Sequence, residues 1–400
     1  MPTFPEPTHA MIVLGTRPEA IKLAPVARAM ADDPRFDPVV VSTGQHREML
    51  EQMLHLLEVK TSADLAVMRE RQDLAGLTGR LVDGLSRTIA EFRPDLVVVQ
   101  GDTTTAMCGA LAAGYHRVPV AHVEAGLRTG DLGNPFPEEI NRQLIGRISH
   151  WHFAPTERSA GHLRREGVPD ERIEVTGNTV IDNLLWMLPR GQGTPAFRSC
   201  RTDPGDDPRT PEGRSGRSSL RSGRPDRSPR RILVTLHRRE SQGEEMTAMA
   251  RSLRRLADRG DCELLLPLHK SPAVRESLLP VLDGHDRVTI VEPLGYADFA
   301  ATLAACDLVL TDSGGVQEEA PSLGKPVLVL RATTERPEAV EAGTAKLIGT
   351  DAAVLYDEAT RLLDDHDLYA GMANAVNPFG DGKAAERIID ALTRGSAEPT

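Results

Sequence analysis

Aromatic side chains are scarce, at 4% of the 400 residues. That leaves little material for the stacking platforms that hold single-stranded nucleic acid. Basic residues are also in deficit, 47 against 58 acids for a formal charge of −11. A duplex binder needs a basic face for phosphate, so no nucleic-acid partner is expected. No run of 18 apolar residues exists, and no membrane span is expected. The opening "MPTFPEPTHA" has neither a basic n-region nor an apolar h-region, so no secretion signal is expected. The four cysteines, Cys108, Cys200, Cys262 and Cys306, form no C-x-x-C pair, and all but Cys200 lie in apolar patterned segments. They read as small buried hydrophobes of a protein in the reducing cytoplasm, not as disulfides or zinc ligands. Also missing are the lysine of a P-loop and a G-x-G-x-x-G between a strand and a helix. The nominal match "GQGTPA" follows no strand and is interrupted by Pro195.

What is present is an alternation of Val-rich runs and helical patterns, in two halves. "MIVLG" (11–15), "PVVVSTG", "DLVVVQGD" (95–102), "VPVAHVEAG", "WHFAPT" and "RIEVTGN" predict strands, with helices over "PEAIKLAPVARAMADD", "REMLEQMLHLL" and "TTTAMCGALAAGYHR". The second half repeats this with "RILVTLH", "CELLLPLH", "RVTIVEP", "DLVLTD" and "PVLVL". Runs without strict alternation predict strands buried on both faces, hence parallel sheets under helices. The expected fold is α/β, two Rossmann-like doubly wound domains with a ligand cleft between them, outside the carboxyl ends of the strands. The expected divisions are a tail at 1–9, a first domain at 10–177, a second at 178–378, and a helix at 379–395 packing back on the first. Residues 190–231 hold eleven arginines against five acids and almost no apolar side chains. Such a segment cannot offset its ordering entropy, so residues 190–230 are expected to be a disordered insertion.

Chemistry gathers just past the strand ends. "GTRPEAIK" puts Arg17 and Lys22 around a helix start that Pro18 suits, an anion site. Asp102 in "GDTTT" stands where a carboxylate caps a helix. Glu124 in "EAGLRTG" ends a buried strand and is hard to explain as packing. Glu138 and Arg142 in "PEEINR" are four apart and predict a pair on one helix face. His237, with Arg238 and Arg239 behind it, ends another strand. His150 and His152 are two apart but lack a third ligand, and no metal is expected. In "TDSGGVQEEAPSLGKP", Ser313, Gly314 and Gly315 offer backbone donors to phosphate oxygens, and Glu319, one turn on, suits two ribose hydroxyls. Glu318 is expected to serve the helix dipole only. Arg336 follows the next strand. Phosphate donors with a ribose acceptor imply a nucleotide.

In order along the chain, "GTRPEAIK", "GQHREML", "GDTTT", "HVEAGLRTG", "PEEINR", "TGNTVID", "HRRE", "TDSGGVQEEAPSLGKPVLVLR" and "TTERPEA" resemble the non-hydrolysing UDP-N-acetylglucosamine 2-epimerases. The match runs from about residue 10 to 395, apart from the Arg-rich insertion. The resemblance implies the glycosyltransferase B fold, a homodimer, no cofactor, and interconversion of UDP-GlcNAc and UDP-ManNAc. It implies nucleotide-sugar contacts at Arg17, Lys22, His237, Ser313, Gly314, Gly315, Glu319 and Arg336, with Phe299 beside the uracil. Leu294 stands where some members have Gln, and Ser241 where Asn is usual. Asp102, Glu124 and Glu138 match the catalytic carboxylates, with Arg142 their partner. An activator site for UDP-GlcNAc is implied at Gln45, Arg71, Gln72, Arg238 and His269. The implied chemistry is departure of UDP from C1, loss of the C2 proton to give 2-acetamidoglucal, protonation of C2 on the other face, and return of UDP to C1. A glycosyltransferase of the same fold, a hydrolysing relative and a non-enzymatic nucleotide-sugar sensor are the alternatives. The first would need an acceptor pocket, and the last would need no carboxylate set.

Overall fold

The structure, a computed structural model, describes residues 4–5, 7–44, 47–67, 73–191, 193–197 and 229–397. Three expected activator residues, Gln45, Arg71 and Gln72, lie outside the described residues, as does most of the Arg-rich stretch, 198–228. The chain divides into two compact units, Met1–Trp186 with Asn377–Thr400, and Met187–Val376.

The first unit is built on β1 (Thr8–Leu14), β2 (Phe36–Ser42), β3 (Ala63–Asp64), β4 (Leu96–Gln100), β5 (Val120–Val123), β6 (Trp151–Ala154) and β7 (Ile173–Val175). They pair in parallel in the order β3-β2-β1-β4-β5-β6-β7. Ile12 sits opposite Val40 on one side and Val98 on the other, and all of β4 is buried. Burial on both faces explains why the strands read as unbroken Val-rich runs. β1 begins at Thr8, inside the expected tail, because the main chain of Thr8 and His9 is held by Arg35 O and the Asp95 carboxylate. The helix Arg17–Ala31 runs through Pro25, carried by a buried face of Ala20, Leu23, Ala24, Ala27 and Met30. The C-terminal helix Ala384–Ala397 lies against it and buries Ile388 and Leu392. Asp182 accepts the Ala385 N–H at 2.7 Å, satisfying one orphan donor at that helix start.

The second unit repeats the plan with β8 (Arg230–Thr235), β9 (Cys262–Pro267), β10 (Val288–Val291), β11 (Leu308–Thr311), β12 (Val327–Val329) and β13 (Ala345–Leu347). Their order is β10-β9-β8-β11-β12-β13, again all parallel. In both units the chain winds outward from the first strand, reverses, and winds out the other way. That reversal leaves a crevice at the carboxyl ends of β1 and β4, and of β8 and β11, where ligands bind in open α/β sheets. The described cysteines, Cys108, Cys262 and Cys306, are buried and unpaired. No helix among the described residues is long and apolar enough to cross a membrane.

Candidate active site

At the crevice of the first unit, Gly15 allows the end of β1 to approach its neighbours. A Cβ there would sit 2.2 Å from Thr43 Oγ1 and 2.6 Å from Thr105 Oγ1, which share a 3.1 Å hydrogen bond. Arg17 follows, exposed, at the start of its helix. Glu19 was not singled out in the sequence, yet its fully buried carboxylate joins the two loops of the crevice. It accepts from Gly15 N–H (3.0 Å), Thr16 N–H (2.8 Å), Thr16 Oγ1 (2.8 Å) and Thr103 Oγ1 (2.5 Å). Thr16 and Thr103 are the N-caps of the helices behind β1 and β4, so one carboxylate stitches both helix starts.

Asp102 does not cap its helix, because Thr103 does. The Asp102 side chain is free to face Arg142, whose Nη2 bonds it, and Asn141 Nδ2 holds its carbonyl at 2.9 Å. Burial pushes the Asp102 carboxyl above its ordinary range; Arg142 opposes the shift, and the charge of Glu124 adds to it. Glu124, the first residue past β5, adopts a left-handed backbone, φ 63°. That conformation costs a non-glycine residue about 1–3 kcal/mol and clusters at functional sites. It turns the carboxylate to Lys22 Nζ, at 2.5 and 2.7 Å from its two oxygens, to Gln100 Nε2, and to Asn178 Nδ2 at 3.1 Å. Lys22 is therefore set on a carboxylate and not only beside an anion site.

The expected Glu138–Arg142 pair does not form. Arg142 pairs with Asp102 and with Glu139, at 3.3 Å one turn earlier. Glu139 faces inward, fully buried, and accepts from Gln143 Nε2 and the N–H groups of Thr129 and Gly130. Burial works against that carboxylate, but these donors and Arg142 outweigh it and hold it below its ordinary range. Glu138 sits half-buried at the first position of the helix Glu138–Ile148.

In the second unit, His237 lies two residues past β8, with its ring Nδ1 2.7 Å from Asp312 Oδ1. Asp312 is the first residue past the adjacent β11 and is fully buried. Its Oδ2 accepts the main-chain N–H groups of His237 (2.7 Å) and Arg238 (2.8 Å). The His269 ring lies 5.8 Å from that of His237, centroid to centroid, which puts two of the expected activator residues, Arg238 and His269, beside His237. Ser241 is buried with its Oγ unpartnered, so the orientation of His237 comes from Asp312.

Ser313 is the N-cap of the helix Gly314–Glu319, and its N–H donates to Thr311 Oγ1 at 2.9 Å. A Cβ on Gly314 or Gly315 would meet nothing within 4 Å, so the helix start is uncovered. Glu318 does more than face the helix dipole: it takes Arg336 Nε in a nearly buried ion pair, because the loop after β12 folds onto this helix. Thr334 Oγ1 anchors that loop on Gln317 Oε1 at 2.7 Å. Glu319 is buried, with the Tyr296 hydroxyl 3.4 Å from Oε1. Tyr296 opens the helix Tyr296–Ala305, which also carries half-buried Phe299, and half-buried Leu294 precedes it. The discarded "GQGTPA" laces this helix: Thr194 N–H donates to Asp298 Oδ1 and Ala196 N–H to Thr302 Oγ1. Loops after β10, β11 and β12 thus converge on Glu319 and Arg336. His150 and His152 join no group of three or more His, Cys, Asp or Glu fit for a metal among the described residues.

Two doubly wound units, each with charged and glycine-bearing loops at its crevice, define a two-domain α/β enzyme of nucleotide-binding type. A family model described as UDP-N-acetylglucosamine 2-epimerase matches residues 28–393. A UDP-N-acetylglucosamine 2-epimerase from Yersinia pestis is 47% identical over 383 residues, 96% of this chain and 97% of that one. The crystal structure of UDP-GlcNAc 2-epimerase from Neisseria meningitidis bound to UDP-GlcNAc is 41% identical with a TM-score of 0.81, covering 96% of this chain and 100% of that one. The glycosyltransferase SnogD from Streptomyces nogalater, 19% identical with a TM-score of 0.53 over 96% and 99%, shares the fold alone. The chain belongs to the UDP-N-acetylglucosamine 2-epimerase family.

Proposed function

We propose that the chain interconverts UDP-GlcNAc and UDP-ManNAc without hydrolysis, by elimination and re-addition of UDP. The observation that carries this reading is the pair of carboxyl groups at neighbouring strand ends, Asp102 on a guanidinium and Glu124 on an ammonium. The C2 proton of the sugar is not acidic in the ground state. Departure of UDP from C1 leaves an oxocarbenium that acidifies it, and a carboxylate removes it to give 2-acetamidoglucal. Protonation on the other face and return of UDP complete the inversion. Two faces need two proton-handling groups, drawn from Asp102, Glu124 and Glu138. Arg17, His237 and Arg142 stabilise the departing diphosphate. Ser313, Gly314, Gly315 and Arg336 hold its oxygens, Glu319 the ribose, and Leu294 and Phe299 flank the uracil. Lys22 orders Glu124.

The test is incubation with UDP-GlcNAc in D₂O without added metal or NAD, followed by NMR. Product and recovered substrate gain deuterium at C2. Turnover without exchange at C2 would sink the elimination route.

We also assign Arg238 and His269, with Gln45, Arg71 and Gln72, to a second UDP-GlcNAc site that activates the reverse reaction. Arg238 sharing the Asp312 carboxylate with His237 supports a link between the two. In the same assay, pure UDP-ManNAc reacts after a lag that a trace of UDP-GlcNAc removes. No lag at any enzyme concentration excludes the site. A homodimer is supported by large apolar side chains left exposed on two adjoining helices, Tyr115 and Leu144. Light scattering at twice the chain mass is the expected result, and a monomer at working concentration would count against it.

A further inference from the structure

We propose that Asp312 is a positioning residue that fixes both the tautomer and the orientation of His237, so that Nε2 is the ring atom offered to substrate. This rests on the reading above that His237 attends the departing diphosphate.

The juxtaposition follows from the sheet. β8 and β11 are neighbours in parallel register, with Thr235 opposite Thr311. The Asp312 N–H bonds Thr235 O at 3.2 Å, which brings the next residues of the two strand ends side by side. One carboxylate then makes three contacts with two consecutive residues. Oδ2 holds the main chain of His237 and Arg238, while Oδ1 lies 2.7 Å from His237 Nδ1, an ion-pair contact that is out of line for a hydrogen bond and leaves Oδ1 with no other partner. Backbone and ring are thus tied to the same rigid group.

A carboxylate accepts and does not donate, and at 2.7 Å a bare ring nitrogen would set its lone pair against that of Oδ1, so the ring nitrogen facing it carries a proton. In the neutral imidazole that is the Nδ1–H tautomer, with Nε2 an acceptor. In the doubly protonated ring, Nε2–H becomes a donor to a diphosphate oxygen, and Asp312 balances the charge. The carboxyl of Asp312 is held below its ordinary range, since the contacts from His237 and Arg238 outweigh its burial. Asp312 is fully buried while the His237 side chain is 37% exposed, so Asp312 acts through the histidine and does not meet substrate itself. The nearby His269 ring limits swings of the imidazole on that side. No other described group anchors the ring: the nearest candidate by sequence, Ser241, keeps its buried Oγ unpartnered.

The test uses Asp312→Asn in the full chain, with histidine labelled by ¹⁵N. In the unsubstituted protein, long-range ¹H–¹⁵N spectra at a pH where His237 is neutral show a protonated Nδ1 and a bare Nε2. His237→Gln identifies the signals. In D312N the pattern moves toward a protonated Nε2. The kcat falls by about 100-fold, within the range for losing one acid–base or hydrogen-bonding contribution, while KM for UDP-GlcNAc stays within about threefold. A merely structural role would lower thermal stability without moving the tautomer. An unchanged tautomer in D312N overturns the proposal, as does a bare Nδ1 in the unsubstituted protein. The second measurement stands even if D312N fails to fold. A tautomer that shifts as expected in a chain that shows no epimerisation would leave the placement of His237 intact and remove the reading of the reaction instead.

Discussion

Glu124→Gln lowers kcat by about a thousandfold and abolishes deuterium entry at C2, with UDP affinity changed no more than a few-fold. General acid–base groups contribute about 10²–10⁴ in rate, and a thousandfold is about 4 kcal/mol of barrier. The isosteric amide keeps an oxygen for Lys22 but puts an NH₂ where Gln100 or Asn178 now donates, so the position is filled while the proton acceptor is gone. Asp102→Asn reaches a similar kcat by a different route. It leaves Arg142, 6% exposed in its side chain, paired only with Glu139. A buried guanidinium that loses a carboxylate is costly, so D102N also melts earlier, and E124Q does so less. The comparison of kcat, C2 exchange and melting temperature across the two variants separates proton handling from support of the fold. A Glu124→Gln enzyme with near-normal turnover would remove Glu124 from the chemistry.

Much of the architecture was legible because strands buried on both faces leave a visible run. Leu96–Gln100 and Leu308–Thr311 are entirely buried, and "LVVVQ" and "LVLT" look it. The two strands that went unread, Ala63–Asp64 and Ala345–Leu347, are two and three residues long at the sheet edges. They exist through main-chain pairing to their neighbours, which no side-chain pattern records. The helix Leu74–Phe92 also went unnamed, although its buried Leu77, Leu81, Leu85 and Ile89 recur every four residues. Its three glycines masked a periodicity that tertiary packing enforces.

At the site, the residues past the strand ends were legible because glycine and charge at a strand's carboxyl end have few other uses. Their partners were legible only in part. The resemblance offered Arg142 as a partner of the carboxylates, and it reaches Asp102 across 40 residues, but nothing in the sequence pointed Lys22 to Glu124, 102 residues away. The one local pairing rule applied, Glu138 with Arg142 at four apart, failed because the inward face of that helix belongs to Glu139. Glu19 and Asp312 escaped notice for a shared reason. An acid at a helix start or strand end reads as a cap or a surface charge, and only burial shows that it organises the groups around it.

The first unit loses stability in mild acid, and two histidines set the window. His122 on β5 and His152 on β6 are register partners, each 1% exposed. His122 Nε2 lies 2.7 Å from Gly101 O, beneath the loop that presents Asp102. Burial drives the His122 pKa down to about 4 and the His152 pKa down to about 3, with the charge of His122 adding to the latter. Both folded values lie below the unfolded value of about 6.5, so the unfolded chain binds more protons as pH falls through that range. Stability is whole above about pH 7 and declines below it, by about 2 kcal/mol per histidine at pH 5. The raised carboxyls of Asp102 and Glu19 act in the opposite sense, from the ordinary carboxylate range up to their raised folded values, so the histidine share is read as the difference between the unsubstituted chain and a variant that lacks both histidines. Both tryptophans, Trp151 and Trp186, lie in this unit, so urea unfolding followed by their fluorescence reports on it. The midpoint falls markedly between pH 7.5 and pH 5. In the double variant His122→Gln, His152→Gln, in which neither side chain titrates, at least half of that dependence disappears. A pH dependence that is the same in the double variant as in the unsubstituted chain would mean that these histidines are not held neutral by the fold.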